Sequence, residues 1–201
     1  MPKTTYQDAA DVMKRVVADN NRFNDAHDHD FFETFMTGQS PYVTIVHCAD
    51  SRSQIDAFAR EPFNNVFEVA NAGNRFRADK GSVSYGVKHL KTPVLMVIGH
   101  TGCGAIKAAM GDYSGEDEDI CAMLDGLHLA IRHDKTHLPE DRQLLLNVTE
   151  NVNMQVRAAL RTFADEVKSK SLTVVGAVFD MHNQLGGGYG KLYVFNVNGE
   201  T

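Results

Sequence analysis

Two short segments of the chain contain the residue types that bind transition metals. The first runs from Cys48 through Asp50 to Arg52, and the second contains His100 and Cys103. Two thiolates and an imidazole that leave a fourth position open form a known catalytic zinc set, whereas structural zinc sites usually have four protein ligands. Sulfur ligands also disfavour magnesium and calcium. The candidate metal is therefore zinc, with Cys48, His100 and Cys103 as candidate ligands.

The elements around these segments can bring them together. Three β-branched, apolar runs predict strands buried on both faces, and they cover residues 42–46, 66–69 and 94–98. Helical spacing at 82–90 and 103–110 predicts helices that alternate with these strands, which favours a parallel sheet. Ligands gather at the carboxyl ends of parallel strands, so the two segments can converge. We also expect Cys103 near a helix N-terminus, where a thiolate is favoured.

The remaining segments predict how the fold is completed. Residues 6–37 have the spacing of two helices, and residues 120–163 are mainly helical with a break near Pro139. A strand pair is expected at 172–179 and 192–197. The fold class is therefore α/β, a mainly parallel central sheet flanked by helices, with an N-terminal helical arm and a C-terminal strand pair. With no internal repeat or linker, we expect one domain over 1–201, with the arm at 1–40.

Composition excludes several classes of function. The net charge of −6 over 201 residues argues against nucleic-acid binding, which normally needs a face rich in Lys and Arg. Residues 1–20 contain no apolar run of the signal-peptide type, and the most apolar stretch, 93–98, is too short to span a bilayer. We therefore expect a cytoplasmic protein without membrane insertion. Three cysteines in a reducing compartment favour metal binding or burial over a disulfide framework.

Each motif also has a simpler explanation. A cysteine at a strand end is usually a small buried apolar residue, and one His-x-x-Cys motif is weak evidence. The glycines at 99, 102 and 104 superficially resemble a dinucleotide-binding turn, but their spacing is not G-x-G-x-x-G. Asp50 and Arg52 could form only a turn and a surface ion pair. We expect Cys121 to be buried as a small apolar residue. No chemistry is assigned to His27, His29, His128, His133, His137 or His182.

The ordered combination of motifs is more specific than any single one, and it resembles the β-class carbonic anhydrases. The motifs are Cys48-x-Asp50-Ser51-Arg52, Asn71-Ala72-Gly73-Asn74, Ser84-Tyr85-Gly86-Val87 and Gly99-His100-x-x-Cys103-Gly104. Segments 20–23, 38–41, 150–152 and 175–180 are also similar to that family. The resemblance therefore covers most of the chain.

This resemblance implies a zinc enzyme that reversibly hydrates carbon dioxide to bicarbonate and a proton. Zinc would be held by Cys48, His100 and Cys103, and hydroxide formed at the metal would attack carbon dioxide with help from an Asp50/Arg52 dyad. The implied substrate pocket contains Gln39, Phe67, Ala72, Tyr85 and Gly104. In the family this pocket lies at a dimer interface, which implies a homodimer or a larger homo-oligomer. The alternatives are a carbonyl sulfide or carbon disulfide hydrolase on the same site, and a non-catalytic zinc-binding homologue.

Two positions depart from the members of that family that bicarbonate inhibits. The resemblance leads one to expect Trp three residues before the first Cys ligand and Arg immediately before the Asn of the Asn-Ala-Gly-Asn motif. This chain has Ile45 and Ala70 at those positions and contains no Trp. Neither side chain offers a donor to a desolvated anion. We therefore predict that the inhibitory bicarbonate site is missing.

Overall fold

The computed structural model describes residues 8–133 and 137–201. By its internal contacts the chain divides into two compact units, Met1–Gln39 and Ser40–Thr201. The first unit contains α1 (Ala9–Ala26) and α2 (His29–Glu33), each begun by an aspartate whose carboxylate accepts a backbone N–H of the first turn. These are the two helices that the sequence predicts, except that residues 6 and 7 lie outside the described part. The interpretation as one domain with an arm stays a prediction.

A five-stranded sheet forms the centre of the second unit. Its strands are β1 (Val43–Cys48), β2 (Val66–Asn71), β3 (Val94–His100), β4 (Thr173–Asp180) and β5 (Lys191–Val197). The order across the sheet is β2-β1-β3-β4-β5, and every pair is parallel except β4 with β5. The α/β prediction with a C-terminal strand pair is therefore confirmed. Strand β1 is buried along its whole length, as expected for a parallel strand covered on both faces.

Helices cover the sheet and connect its strands. They are α3 (Lys80–Ser84), α4 (Gly104–Met110), α5 (Glu118–His128), α6 (Glu140–Thr162) and α7 (Ala164–Lys168). The break expected near Pro139 is confirmed, because Pro139 is the N-cap of α6. Val152 and Val156 of α6 are fully buried in the same cluster as Val97 of β3. In the described part of the chain, no helix is both long and apolar enough to cross a membrane.

One helix differs from the sequence prediction. The segment 82–90 is not a single α-helix, because α3 ends at Ser84 and a π-helical turn follows over Tyr85–His89. The Leu90 N–H donates to the Tyr85 carbonyl five residues earlier. The Gly86 carbonyl instead accepts from the backbone N–H and the hydroxyl of Thr92. This partner six residues further along the chain, which helical spacing does not reveal, accounts for the wider turn.

Candidate metal centre

Two neighbouring strands place the three candidate ligands side by side. Cys48 is the last residue of β1, His100 is the last residue of β3, and Cys103 is the N-cap of α4. The two sulfur atoms are 3.9 Å apart, and one donor atom from each residue lies within 4.8 Å of the other two. Cys48 is 3%, Cys103 1% and His100 0% exposed. The convergence expected at the carboxyl ends of the strands is present.

The hydrogen bonding of His100 leaves one ring nitrogen available. Its Nδ1 lies 3.1 Å from the carbonyl oxygen of Thr101, and a carbonyl can only accept, so Nδ1 carries the proton. The other nitrogen, Nε2, is buried and has no hydrogen-bond partner among the described residues. Such an orphaned acceptor is costly unless something binds it. Together with two sulfur donors it makes a set that fits zinc.

The Asn-Ala-Gly-Asn motif supports the first sulfur ligand through its backbone. The Gly73 N–H donates to Cys48 Sγ over 3.4 Å, and the Gly73 carbonyl accepts from the Asn151 amide at 2.9 Å. Gly73 has φ +76°, and a Cβ there would lie 2.7 Å from Leu127 Cδ1. Both the left-handed backbone and the close approach therefore require glycine. The motif acts here as a support for the thiolate.

The environment favours one negative charge on the pair of thiols. A hydrogen bond from the Cys103 thiol, helped by the Gly73 and Asp50 backbone N–H groups and the nearby His100 ring, lowers the pKa of Cys48 despite its burial. The same hydrogen bond and burial raise the pKa of the Cys103 thiol. The first proton therefore leaves Cys48 readily, whereas loss of the second is coupled to the arrival of a cation.

Asp50 and Arg52 form a two-pronged ion pair beside the ligands. Arg52 Nε donates to Asp50 Oδ1 at 2.9 Å, and Arg52 Nη2 donates to Oδ2 at 2.6 Å. Arg52 Nη2 also donates to the Gly102 carbonyl at 3.2 Å, and Asp50 Oδ2 lies 3.8 Å from His100 Nε2. Hydrogen bonds from the Arg52 side chain outweigh partial burial and hold the pKa of Asp50 well below its usual range. An ionised carboxylate therefore faces the free nitrogen of His100.

The structure places four of the five predicted pocket residues in two groups. Gly104 follows Cys103 directly, and Ala72 precedes the glycine that contacts Cys48. Phe67 and Tyr85 pack against each other with ring centroids 5.8 Å apart, but Phe67 pairs with Thr44, four residues before Cys48. At 3.3 Å per residue, this puts Phe67 about 13 Å along the sheet from the metal end of β1. Gln39 is exposed in the first unit, Met1–Gln39.

A histidine that the sequence did not single out covers the second metal motif. The Thr101 hydroxyl accepts from the Met181 N–H and lies 2.9 Å from His182 Nδ1. A Cβ at Gly102, where φ is +70°, would come within 2.5 Å of His182 Cε1. Gly102 is therefore small so that this ring can approach. No local signal marks His182, because about 80 residues of chain separate it from Thr101.

A second histidine that the sequence did not single out, His47, lies close to Ile45 and Ala70, the two positions that depart from the family pattern. His47 pairs across the strands with Ala70, and its Nε2 lies 2.6 Å from Glu68 Oε1. His47 is 2% exposed. Ile45 packs in a buried apolar cluster beside β3. The space near Ala70 thus holds an imidazole engaged by an acid. Its position directly before Cys48 was visible in the sequence, but its partner was not.

Cys121 is only partly as expected. It takes no part in the cluster of ligands, but it is half-buried rather than buried, and its thiol donates to the carbonyls of Tyr113 and Glu116 at 3.3 and 3.4 Å. The prediction that Cys121 is buried as a small apolar residue was therefore wrong, because the side chain is half-buried and its thiol contacts polar carbonyl groups. The acidic loop before α5 turns its carbonyl oxygens toward the thiol, which residue composition does not reveal.

Comparisons with known proteins agree on one family. A family model described as carbonic anhydrase matches residues 43–187. The chain is 28% identical over 152 residues to carbonic anhydrase 2 of Mycobacterium tuberculosis, covering 72% of each protein. It resembles the solved β-carbonic anhydrase of Coccomyxa, in complex with acetazolamide, with a TM-score of 0.74, 25% identity and coverage of 90% and 84% of the two chains. Tetrameric β-carbonic anhydrases of Sordaria macrospora share the fold, with a TM-score of 0.78 at 21% identity and coverage of 91% and 96%.

Proposed function

This chain belongs to the β-class carbonic anhydrase family, and from that premise we propose that it hydrates carbon dioxide with zinc held by Cys48, His100 and Cys103. One observation carries the proposal for the metal. Two buried thiols and an imidazole nitrogen without a hydrogen-bond partner in the described chain converge beside an ionised carboxylate. Soft sulfur donors with one imidazole and room for a further ligand favour zinc in a catalytic role.

The charge of the ligand set determines what the neighbouring residues must do. When bound, zinc would lower the pKa of a water molecule and so supply hydroxide, as it does in carbonic anhydrases that hold it with three histidines. Two thiolates cancel the formal charge of the metal, whereas three imidazoles do not. Residues beside the ligands must therefore contribute more to holding and orienting the nucleophile.

Asp50 supplies that contribution in our proposal. Its Oδ2 lies 3.8 Å from His100 Nε2, close to where the metal ligands point. As a carboxylate it accepts a hydrogen bond from the attacking oxygen and turns a lone pair toward carbon dioxide. Arg52 engages both carboxylate oxygens, which keeps Asp50 ionised and fixes its direction. The Gly102 carbonyl in turn orients Arg52.

We propose that the active form is a homodimer or a larger homo-oligomer. Phe67 lies about 13 Å along the sheet from the metal end of β1 in its own chain, and Tyr85, whose ring packs against it, is 44% exposed. Aromatic residues in that position can line the site of a second copy more readily than their own. The relatives from Sordaria macrospora are described as tetrameric, which supports an assembly of this kind. A cytoplasmic location stays a prediction.

Stopped-flow hydration of carbon dioxide, with and without a strong zinc chelator, tests the proposed function. We expect rapid hydration that is lost on metal removal and restored by added zinc. Hydrolysis of carbonyl sulfide or carbon disulfide without carbon dioxide hydration would favour the first alternative. Zinc binding without turnover of any of these substrates would favour a non-catalytic homologue.

We predict that bicarbonate acts on this enzyme only as a product. Ile45 is 3% exposed among apolar residues, and the His47 ring opposite Ala70 is engaged by Glu68. Neither an indole N–H nor a guanidinium is available there to compensate a desolvated anion, and Glu68 would repel it. Hydration rates over a bicarbonate series at fixed pH and ionic strength should show simple product inhibition. Chloride at the same ionic strength is the control, and cooperative, saturable inhibition would contradict the prediction.

A further inference from the structure

We propose that His128 and His133 form a second transition-metal site, separate from the cysteine centre, that binds Zn²⁺ through two imidazole nitrogens. His128 is the last residue of α5, and its Nε2 lies 3.3 Å from the Nε2 of His133. Tetrahedral zinc with Zn–N bonds of 2.0–2.1 Å separates two ligand nitrogens by about 3.3–3.4 Å. Both residues are exposed, so an ion in solution can reach them.

The hydrogen bonding of His128 directs the lone pair of its Nε2 toward the proposed metal position. Its Nδ1 lies 3.0 Å from the carbonyl oxygen of Ala109, and because a carbonyl only accepts, Nδ1 must carry the proton. In the neutral ring, Nε2 of His128 is therefore the nitrogen with the lone pair, and it faces His133. Metal-binding histidines commonly donate their second nitrogen to a carbonyl or carboxylate, which fixes both tautomer and ring direction. That arrangement is already present here.

The turn that carries His133 is held in place. Backbone hydrogen bonds close the turn after α5, and Ala130 within it is only 7% exposed. The Arg132 N–H donates at 2.8 Å to Oδ1 of Asn147, a residue of α6 that is 1% exposed. The backbone between the two histidines is thus anchored to buried groups. An ion would meet two ligands that are already positioned, which lowers the entropic cost of binding.

The second site should be weaker than the first. Within residues 8–133 and 137–201, no other His, Cys, Asp or Glu places a ligand atom within 4.8 Å of both nitrogens. Water would therefore complete the coordination. The competing explanation is a simple hydrogen bond, in which His133 Nε2–H donates to His128 Nε2 at the same distance. That arrangement would bind no metal, so a binding measurement separates the two.

Titration of the zinc-loaded full-length protein with Zn²⁺, followed by calorimetry and metal analysis after equilibrium dialysis, is the test. We expect the wild type to bind one additional zinc per chain. His128→Gln and His133→Gln should each weaken this binding by about 10- to 100-fold or more, since loss of a ligand costs at least as much as loss of its supporting hydrogen bond. Carbon dioxide hydration should not change in either variant. His29→Gln, which alters an exposed histidine near Asp30 and Glu33, is the matched control and should keep the additional zinc.

The proposal fails if the wild type takes up no additional zinc, or if the additional zinc persists in both variants or disappears in His29→Gln. A second measurement uses the wild-type protein, so that its result does not depend on whether the variants fold. Added Co²⁺ should broaden the NMR signals of the His128 and His133 rings before those of other histidines. Broadening that begins elsewhere would overturn the assignment. The binding and NMR results do not depend on catalytic activity, so the site can fail while the proposed function stands.

Discussion

Replacement of Cys48, His100 or Cys103 by Ala should remove zinc and bring carbon dioxide hydration down to the uncatalysed rate. Each variant leaves two donors in a site where all three are almost fully buried. Two donors bind the metal far less tightly than three, and no other described thiol or imidazole is close enough to replace the lost one. Because metal binding also contributes folding free energy, the melting temperature of the variants should fall below that of the zinc-loaded wild type.

Metal analysis of the purified variants, combined with stopped-flow hydration, provides the measurement. Cys121→Ala is the matched control, because it removes the third cysteine of the chain from a half-buried position outside the cluster. It should keep both zinc and activity. The two cysteine variants change little volume, so a loss of metal there cannot be attributed to a cavity. Stoichiometric, tightly held zinc in all three ligand variants would rule out the assignment.

Asp50→Asn should keep zinc but slow hydration by about 10²- to 10⁴-fold, the range expected for a positioned proton-accepting group. Asparagine has nearly the same size but lacks the charge, and one of its two terminal groups is a donor that would face the Arg52 guanidinium. Asp50 is mostly covered, whereas the Arg52 side chain is 54% exposed and can be solvated when its partner is lost. The effect on folding should therefore be small compared with the effect on rate.

Zinc content, melting temperature and the pH dependence of the rate together check this prediction. Arg52 lowers the pKa of Asp50 far below neutrality, so the carboxylate is ionised throughout the neutral range. The ratio of wild-type to variant rate should accordingly stay constant across that range. Asp56→Asn, an exposed change of the same charge a few residues away, should leave the rate unaltered. Wild-type turnover in Asp50→Asn would show that Asp50 is only structural.

Much of this architecture could be predicted because its causes are local. The apolar, β-branched run before Cys48 and the one before His100 predict buried parallel strands, and parallel strands end at the same edge of a sheet. The meeting of the two motifs follows from that geometry. Pro139 likewise predicts a helix boundary, since proline cannot continue a preceding helix. The identity of the metal was suggested by donor chemistry alone.

The features that escaped prediction depend on contacts between distant segments. The approach of His182 to Gly102 and the pairing of His47 with Glu68 each require knowledge of the tertiary fold. The facing nitrogens of His128 and His133 depend instead on a turn between nearby residues. Their spacing of five positions puts them on no common helix face, and only the turn after α5 brings them together.

The position of the ligands at the ends of two neighbouring strands also affects how the protein matures. Cys48 and Cys103 are 55 positions apart in the chain, and only the pairing of β1 with β3 makes them neighbours. Contacts of such long sequence separation form late, because the entropy of closing the intervening loop must be overcome first. Newly synthesised chains therefore acquire a metal-competent centre only after the sheet has assembled. During refolding, the capacity to bind zinc should therefore appear together with the assembly of β1 and β3, and not before it.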